Sequence, residues 1–175
     1  CKPLVTSTPE VLLATAFREW EFGLKERAIV RLESYLAYDP LNHLIRTRLS
    51  RYLFETKAYD ATIDHIRLLI KYQSADSQSL AKLVHALIAT DKYLAAARLL
   101  DRTAHQLSTR SHEALSLRLD AFQAPSERVR MRALTMVNRA STPAQVLMVV
   151  KALSETPHKK LIEDVIVTGL TQYSN

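Results

Sequence analysis

Laid on itself at an interval of 34 residues, the chain brings three turns into register. They are Gly23-Leu24-Lys25-Glu26-Arg27-Ala28-Ile29, Lys57-Ala58-Tyr59-Asp60-Ala61-Thr62-Ile63 and Asp91-Lys92-Tyr93-Leu94-Ala95-Ala96-Ala97. A fixed period of this size marks stacked supersecondary units, none of which buries its apolar face alone. The units run over residues 9–42, 43–76 and 77–110. Each reads as a helix, a tight turn, a second helix and a short linker. Ala28, Thr62 and Ala96 recur where two helices touch and a larger side chain would push them apart. Leu32, Ile66 and Leu100 recur one turn later.

Helical periodicity points the same way. Ile63, Ile66, Leu69 and Ile70 share one helix face, with Asp64, Arg67 and Lys71 opposite; Leu80, Leu83, Val84 and Leu87 make the next stripe. Only two glycines occur, Gly23 and Gly169, too few for a turn-rich sheet protein. Past the repeats, residues 111–123 read as a helix with Leu115, Leu119 and Phe122 on one face, broken by Ala124-Pro125-Ser126. A further helix covers 126–140, another runs from Ser141-Thr142-Pro143 to about 154, and Thr156-Pro157 is expected to start the last. The Val165-Ile166-Val167 run alone suits a strand, but its flanks favour helix. The expected fold is all-α: three helix pairs plus one helix over 9–124, and a helical cap over 125–175.

The repeated turn resembles the G-D-Y-D-E-A-I stretch of the tetratricopeptide-repeat (TPR) family, with Tyr59 and Tyr93 at its aromatic position. The resemblance covers residues 9–110 and extends less clearly to 124. Only the first unit keeps the turn glycine, Gly23, and the terminal proline, Pro40. Leu12, Arg46 and Leu80 stand where tryptophan or leucine is usual, and Ala16, Ser50 and Val84 where a small residue is usual. The resemblance implies a right-handed superhelix of antiparallel helix pairs whose first helices line a protein-binding groove. The inward positions would be Leu13, Phe17 and Trp20; Thr47, Arg51 and Phe54; Ala81, His85 and Ile88; then Leu115, Leu119 and Phe122. Such a mostly apolar lining suits an amphipathic helix or C-terminal segment of a partner. Only Arg51 fits the pattern of family members that grip chaperone tails, which disfavours that ligand.

Composition and motifs argue against catalysis. The chain has no phosphate-binding glycine loop, no nucleophile elbow and no paired histidine motif of a zinc enzyme. The expectation is a non-enzyme with no cofactor and no metal. Net charge is +6, with both signs spread along the chain. Arg128, Arg130, Arg132 and Arg139 cluster, but the residues between them are aliphatic, so no nucleic acid is expected. The longest strictly apolar run, at 146–150, is far too short to cross a bilayer.

The single cysteine, Cys1, precedes the polar, proline-containing stretch Lys2-Pro3-Leu4-Val5-Thr6-Ser7-Thr8-Pro9. Residues 1–8 read as the tether of a lipoprotein acylated at Cys1, held to the membrane by lipid alone. Together with the groove, this resembles the TPR lipoproteins of Gram-negative envelopes, including pilotins of type IV and Tad-type pilus systems. The implied role is to bind and localise a secretin or other pilus or secretion-system subunit at the periplasmic face of the outer membrane. The alternatives are a soluble cytoplasmic or periplasmic TPR scaffold and a basic RNA-binding helical repeat.

Overall fold

A computed structural model describes residues 8–173, with side chains to Thr171; the expected lipid anchor Cys1 lies outside the described residues. Those residues form ten α-helices and no strand. They are α1 (Pro9–Glu21), α2 (Lys25–Tyr38), α3 (His43–Glu55), α4 (Tyr59–Lys71), α5 (Ser77–Ala89), α6 (Tyr93–Arg102), α7 (Thr109–Gln123), α8 (Ser126–Asn138), α9 (Pro143–Leu153) and α10 (Leu161–Tyr173). The chain divides into two compact units, one ending at Ala86 and one starting at Leu87, inside α5.

The period expected from sequence is present in the backbone. Gly23, Lys57 and Asp91 all adopt left-handed φ, at 78°, 62° and 57°. Each sits just past the end of the first helix of its pair. In each turn the amide one residue on donates to a carbonyl five residues back: Leu24 to Glu19 at 2.8 Å, Ala58 to Leu53 at 2.9 Å and Lys92 to Leu87 at 2.8 Å. This closing bond satisfies carbonyls that a helix end leaves unpaired and reverses the chain. Glycine reaches that conformation without steric cost, whereas Lys57 and Asp91 hold it against their own Cβ.

In the first unit, α1 packs on α2, α2 on α3 and α3 on α4. The core holds Ala16, Leu32, Leu36, Leu49, Tyr52 and Leu53. The repeat positions are filled as the register requires: Ala16, Ala28, Leu32, Thr62 and Ile66 are fully buried and Ser50 nearly so. Two charged residues are also buried. Glu19 on α1 accepts from the Arg31 Nε at 2.7 Å and pairs with Arg27 at 3.0 Å, tying α1 to α2. The bond from Arg31 holds the Glu19 carboxyl below its usual range. Arg46, standing where the family has tryptophan or leucine, donates to the Pro40 carbonyl at 2.6 Å and lies 3.2 Å from His65 Nδ1. It thereby joins the linker before α3 to α4. Burial, together with the Arg46 charge, pushes the His65 pKa down, with Asp64 opposing.

In the second unit, α6 packs on α7, α7 on α8 and α9, and α10 on α8 and α9. Its core is aliphatic: Leu117, Ala121, Val129, Ala133, Val137, Val149, Ala152, Leu153 and Val165. The break expected at Ala124-Pro125-Ser126 ends α7, while this core runs across it, from Leu117 and Ala121 to Val129. α9 opens on a capping box in which Thr142 and Gln145 satisfy each other's backbone amides. α10 and α9 approach closely at Gly169, where a Cβ would lie 2.7 Å from a Val146 methyl.

One expected boundary is corrected. Thr156-Pro157 does not start α10, which begins at Leu161. The Thr156 hydroxyl donates to the Leu153 carbonyl at 2.8 Å and accepts from the His158 amide at 3.2 Å. Tight turns follow, with Leu161 bonded to His158 and Ile162 to Lys159. Local side-chain bonding has displaced the first helical turn.

Candidate protein-binding face

Within the first unit, α1, α3 and the part of α5 up to Ala86 present side chains next to one another. α3 is central. Leu44, Arg48, Arg51 and Glu55 recur at helical spacing along it, on the side away from the buried Leu49 and Leu53. Leu44 is 84% exposed. An apolar side chain that open needs a reason only when others join it, and here it begins a row of cations.

The cations rest on rings. The Arg48 guanidinium lies 4.4 Å above the Phe17 ring of α1, and that of Arg51 lies 5.6 Å from the Tyr52 ring. Tyr52 is buried and stacks on Trp20, centroids 3.6 Å apart and planes 5° from parallel. Lys25 reaches to 5.3 Å from the Trp20 ring. Such contacts hold a cation in place while leaving its outer side solvated. Arg51 and Glu55 form an exposed ion pair at 3.7 Å, a weak and breakable contact. Towards α5, Phe54 meets His85 edge-on at 4.9 Å and Tyr59 at 5.7 Å. Lys82 of α5 is half-buried; burial pushes its pKa down, Asp76 and Glu55 oppose that shift, and Arg51 adds to it. The Asp76 carboxylate accepts from the Ser79 amide at 2.7 Å.

The residues expected to line a groove fall into three groups. Leu13, Phe17 and Trp20 are half-buried against the α1–α4 core, so their rings serve the fold as well as the surface. Thr47, Phe54, Ala81 and His85 are half-buried, and Arg51 is exposed. Ile88, Leu115 and Leu119, in the second unit, are 1%, 9% and 7% exposed, which removes them from any open lining. The α7 stripe that carries Leu115 and Leu119 also carries Phe122, half-buried and stacked on Tyr93 of α6 at 5.6 Å. It is an internal seam. Sequence reasoning passed over Leu44, Arg48, Tyr52 and Lys82. The spacing from Leu44 through Glu55 was the available signal, since it gives α3 a second stripe beside its core stripe.

A separate shallow groove of about 360 Å³ lies on α1 and α2, lined by Leu12, Glu26, Arg27, Val30, Arg31 and Ser34. Its two arginines are engaged by Glu19. Among the described residues no His, Cys, Asp or Glu cluster could hold a metal ion, and no helix is long and apolar enough to cross a membrane.

Three helix pairs closed by the same left-handed turn, with small residues at the helix contacts, define a helical-repeat protein. No family model and no curated protein matches the sequence. Among solved structures, the crystal structure of YrrB, described as a TPR protein with an unusual peptide-binding site, aligns with 98% of this chain and 89% of its own, at a TM-score of 0.61 and 9% identity. At that identity the likeness is one of fold: this chain has the tetratricopeptide-repeat fold.

Proposed function

We propose that this chain is a non-catalytic adaptor whose first unit holds a segment of another protein against the face formed by α1, α3 and the start of α5. The observation that carries this reading is the exposed row Leu44, Arg48 and Arg51 on α3, its arginines set against the half-buried Phe17 and the buried Tyr52. A row with an apolar end and charged body matches an amphipathic helix or extended segment laid along it. The peptide-binding site described for YrrB, a protein of the same fold, supports a polypeptide guest. A photo-crosslinking residue placed at Leu44 should capture a partner protein in cells, while one at the exposed Glu33 of α2 should not. Equal labelling at both positions would remove the assignment.

The finer reading is an outer-membrane lipoprotein, acylated at Cys1, that delivers a secretin or other pilus or secretion-system subunit to its assembly site. The lone cysteine and the polar stretch after it support this reading. Mass spectrometry of the native protein tests it: a diacylglyceryl group on Cys1 is expected, and an unmodified cysteine inside a longer chain would turn the proposal towards a soluble scaffold.

A further inference from the structure

We infer that the guest of the α3 face is an acidic protein segment, carrying an aliphatic side chain for the Leu44 end and carboxylates one and two turns on for Arg48 and Arg51; this rests on the adaptor reading above. Four cations from three helices border this face: Lys25 at the start of α2 over Trp20, Arg48 and Arg51 of α3, and Lys82 of α5, which feels the Arg51 charge. The acids that act on Lys82 are Asp76 and Glu55, and Glu55 also pairs with Arg51. Asp76 is already committed to the start of α5. Glu55 is the one facing carboxylate that bonds Arg51, at a length and exposure where a better-placed acid displaces it. The Arg51 charge adds to burial in disfavouring the charged form of Lys82, which a guest carboxylate beside Lys82 would favour.

The rings decide against a nucleic acid. Binding of single strands needs open aromatic faces on which bases stack. Trp20 is faced by Tyr52 and Lys25, Phe17 by Arg48, and Phe54 by Tyr59 and His85. What α3 offers outward is charge and the Leu44 side chain.

The test uses the full chain and fluorescence anisotropy. The probes are a labelled helical peptide with one leucine followed at one and two turns by glutamates, its twin with glutamines, and a labelled oligouridylate. The acidic peptide should bind roughly tenfold or more tightly than its twin at physiological salt. The double variant Arg48→Gln/Arg51→Gln should erase that difference. Arg128→Gln/Arg139→Gln, which removes the same charge elsewhere, should keep it. Glu55→Gln should tighten the acidic peptide about 2–3-fold by freeing Arg51, an effect no purely structural role produces. Circular dichroism checks that each variant is folded. Equal binding of the twins, an equal loss in the control variant, tighter binding of the oligouridylate, or no binding of either peptide would overturn the proposal. Where the twins bind equally and Leu44 still crosslinks to a partner, the adaptor reading stands and only the acidic guest is lost.

Discussion

The two units share the helix-pair plan and are filled differently. The first mixes its aliphatic core with rings and charges: Trp20 on Tyr52, Phe54 between Tyr59 and His85, His43 near Tyr72, Glu19 between two arginines, Arg46 on His65. Every ring–cation contact found among the described residues lies there. The second unit closes α7 to α10 around leucine, valine and alanine; beside that core lie one ring pair, Tyr93 and Phe122, and one buried arginine, Arg118, paired with Glu155 at 2.6 Å. An all-aliphatic core is sealed, and its side chains can do little beyond holding helices together. Half-buried rings carrying cations leave a patterned surface outside. On the proposed reading, recognition belongs to the first unit and the second has a structural part.

The largest effects should come from the two cores. Leu49→Ala in the first unit and Leu153→Ala in the second each remove a fully buried side chain and should cost about 2–5 kcal/mol. Trp20 is the only tryptophan, so its fluorescence reports the first unit alone, while circular dichroism reports both. If the units unfold independently, Leu153→Ala shifts the dichroism transition and leaves the fluorescence midpoint in urea where it was. Coincident shifts of both would show one cooperative block and break the contrast.

Next in size is Arg46→Ala, which strips partners from the Pro40 carbonyl and His65 and should cost about 2 kcal/mol by urea melt. The same pair predicts a pH effect. His65 is held neutral, its folded pKa below the unfolded value of about 6.5, so the folded state binds fewer protons. Its stabilising contribution is complete above that pH and declines as pH falls below it. His65→Gln should flatten the decline in the fluorescence-detected transition; an unchanged slope would assign the acid sensitivity elsewhere.

In the second unit, Gly169→Ala should cost about 1–2 kcal/mol, because Val146 must give way. Adding Val146→Ala should recover part of that cost; if it does not, the close approach of α9 and α10 is not the cause. The smallest effect is a gain. Lys57→Gly relieves a left-handed side chain and should raise the stability of the first unit by about 0.5–1 kcal/mol.

The helix pairs were legible in the sequence because a repeat writes its contact residues three times. Ala28, Thr62 and Ala96 are fully buried, and Leu32, Ile66 and Leu100 nearly or fully so. What appears once was harder to read. Arg46 looked like a departure from pattern and is a buried tie between linker and helix. Tyr52 lies outside the repeat signature, so its stack on Trp20 has no counterpart at neighbouring units to reveal it. The start of α10 was misplaced because Thr156 and Pro157 look like a cap, while the hydroxyl turns back to Leu153. Leu115 and Leu119 have the spacing of groove residues and of core residues alike, and only packing against neighbours separates the two.

Three left-handed turns lie inside the pairs, and a fourth, at Gln73 with φ 54°, closes α4 in the joint after the second pair. The connectors inside the pairs, 22–24, 56–58 and 90–92, are the same length, whereas those between pairs, 39–42, 72–76 and 103–108, each grow by one residue. One extra residue inside a pair would break the register of the bond that closes the turn, from the amide after the left-handed residue to the carbonyl five residues back. Length drift falls at the outer joints; Arg46 ties the first of them to α4, and Gln73 and Asp76 close the second, which leaves 103–108 as the joint where a tag, a label or a graft would disturb the neighbouring helices least.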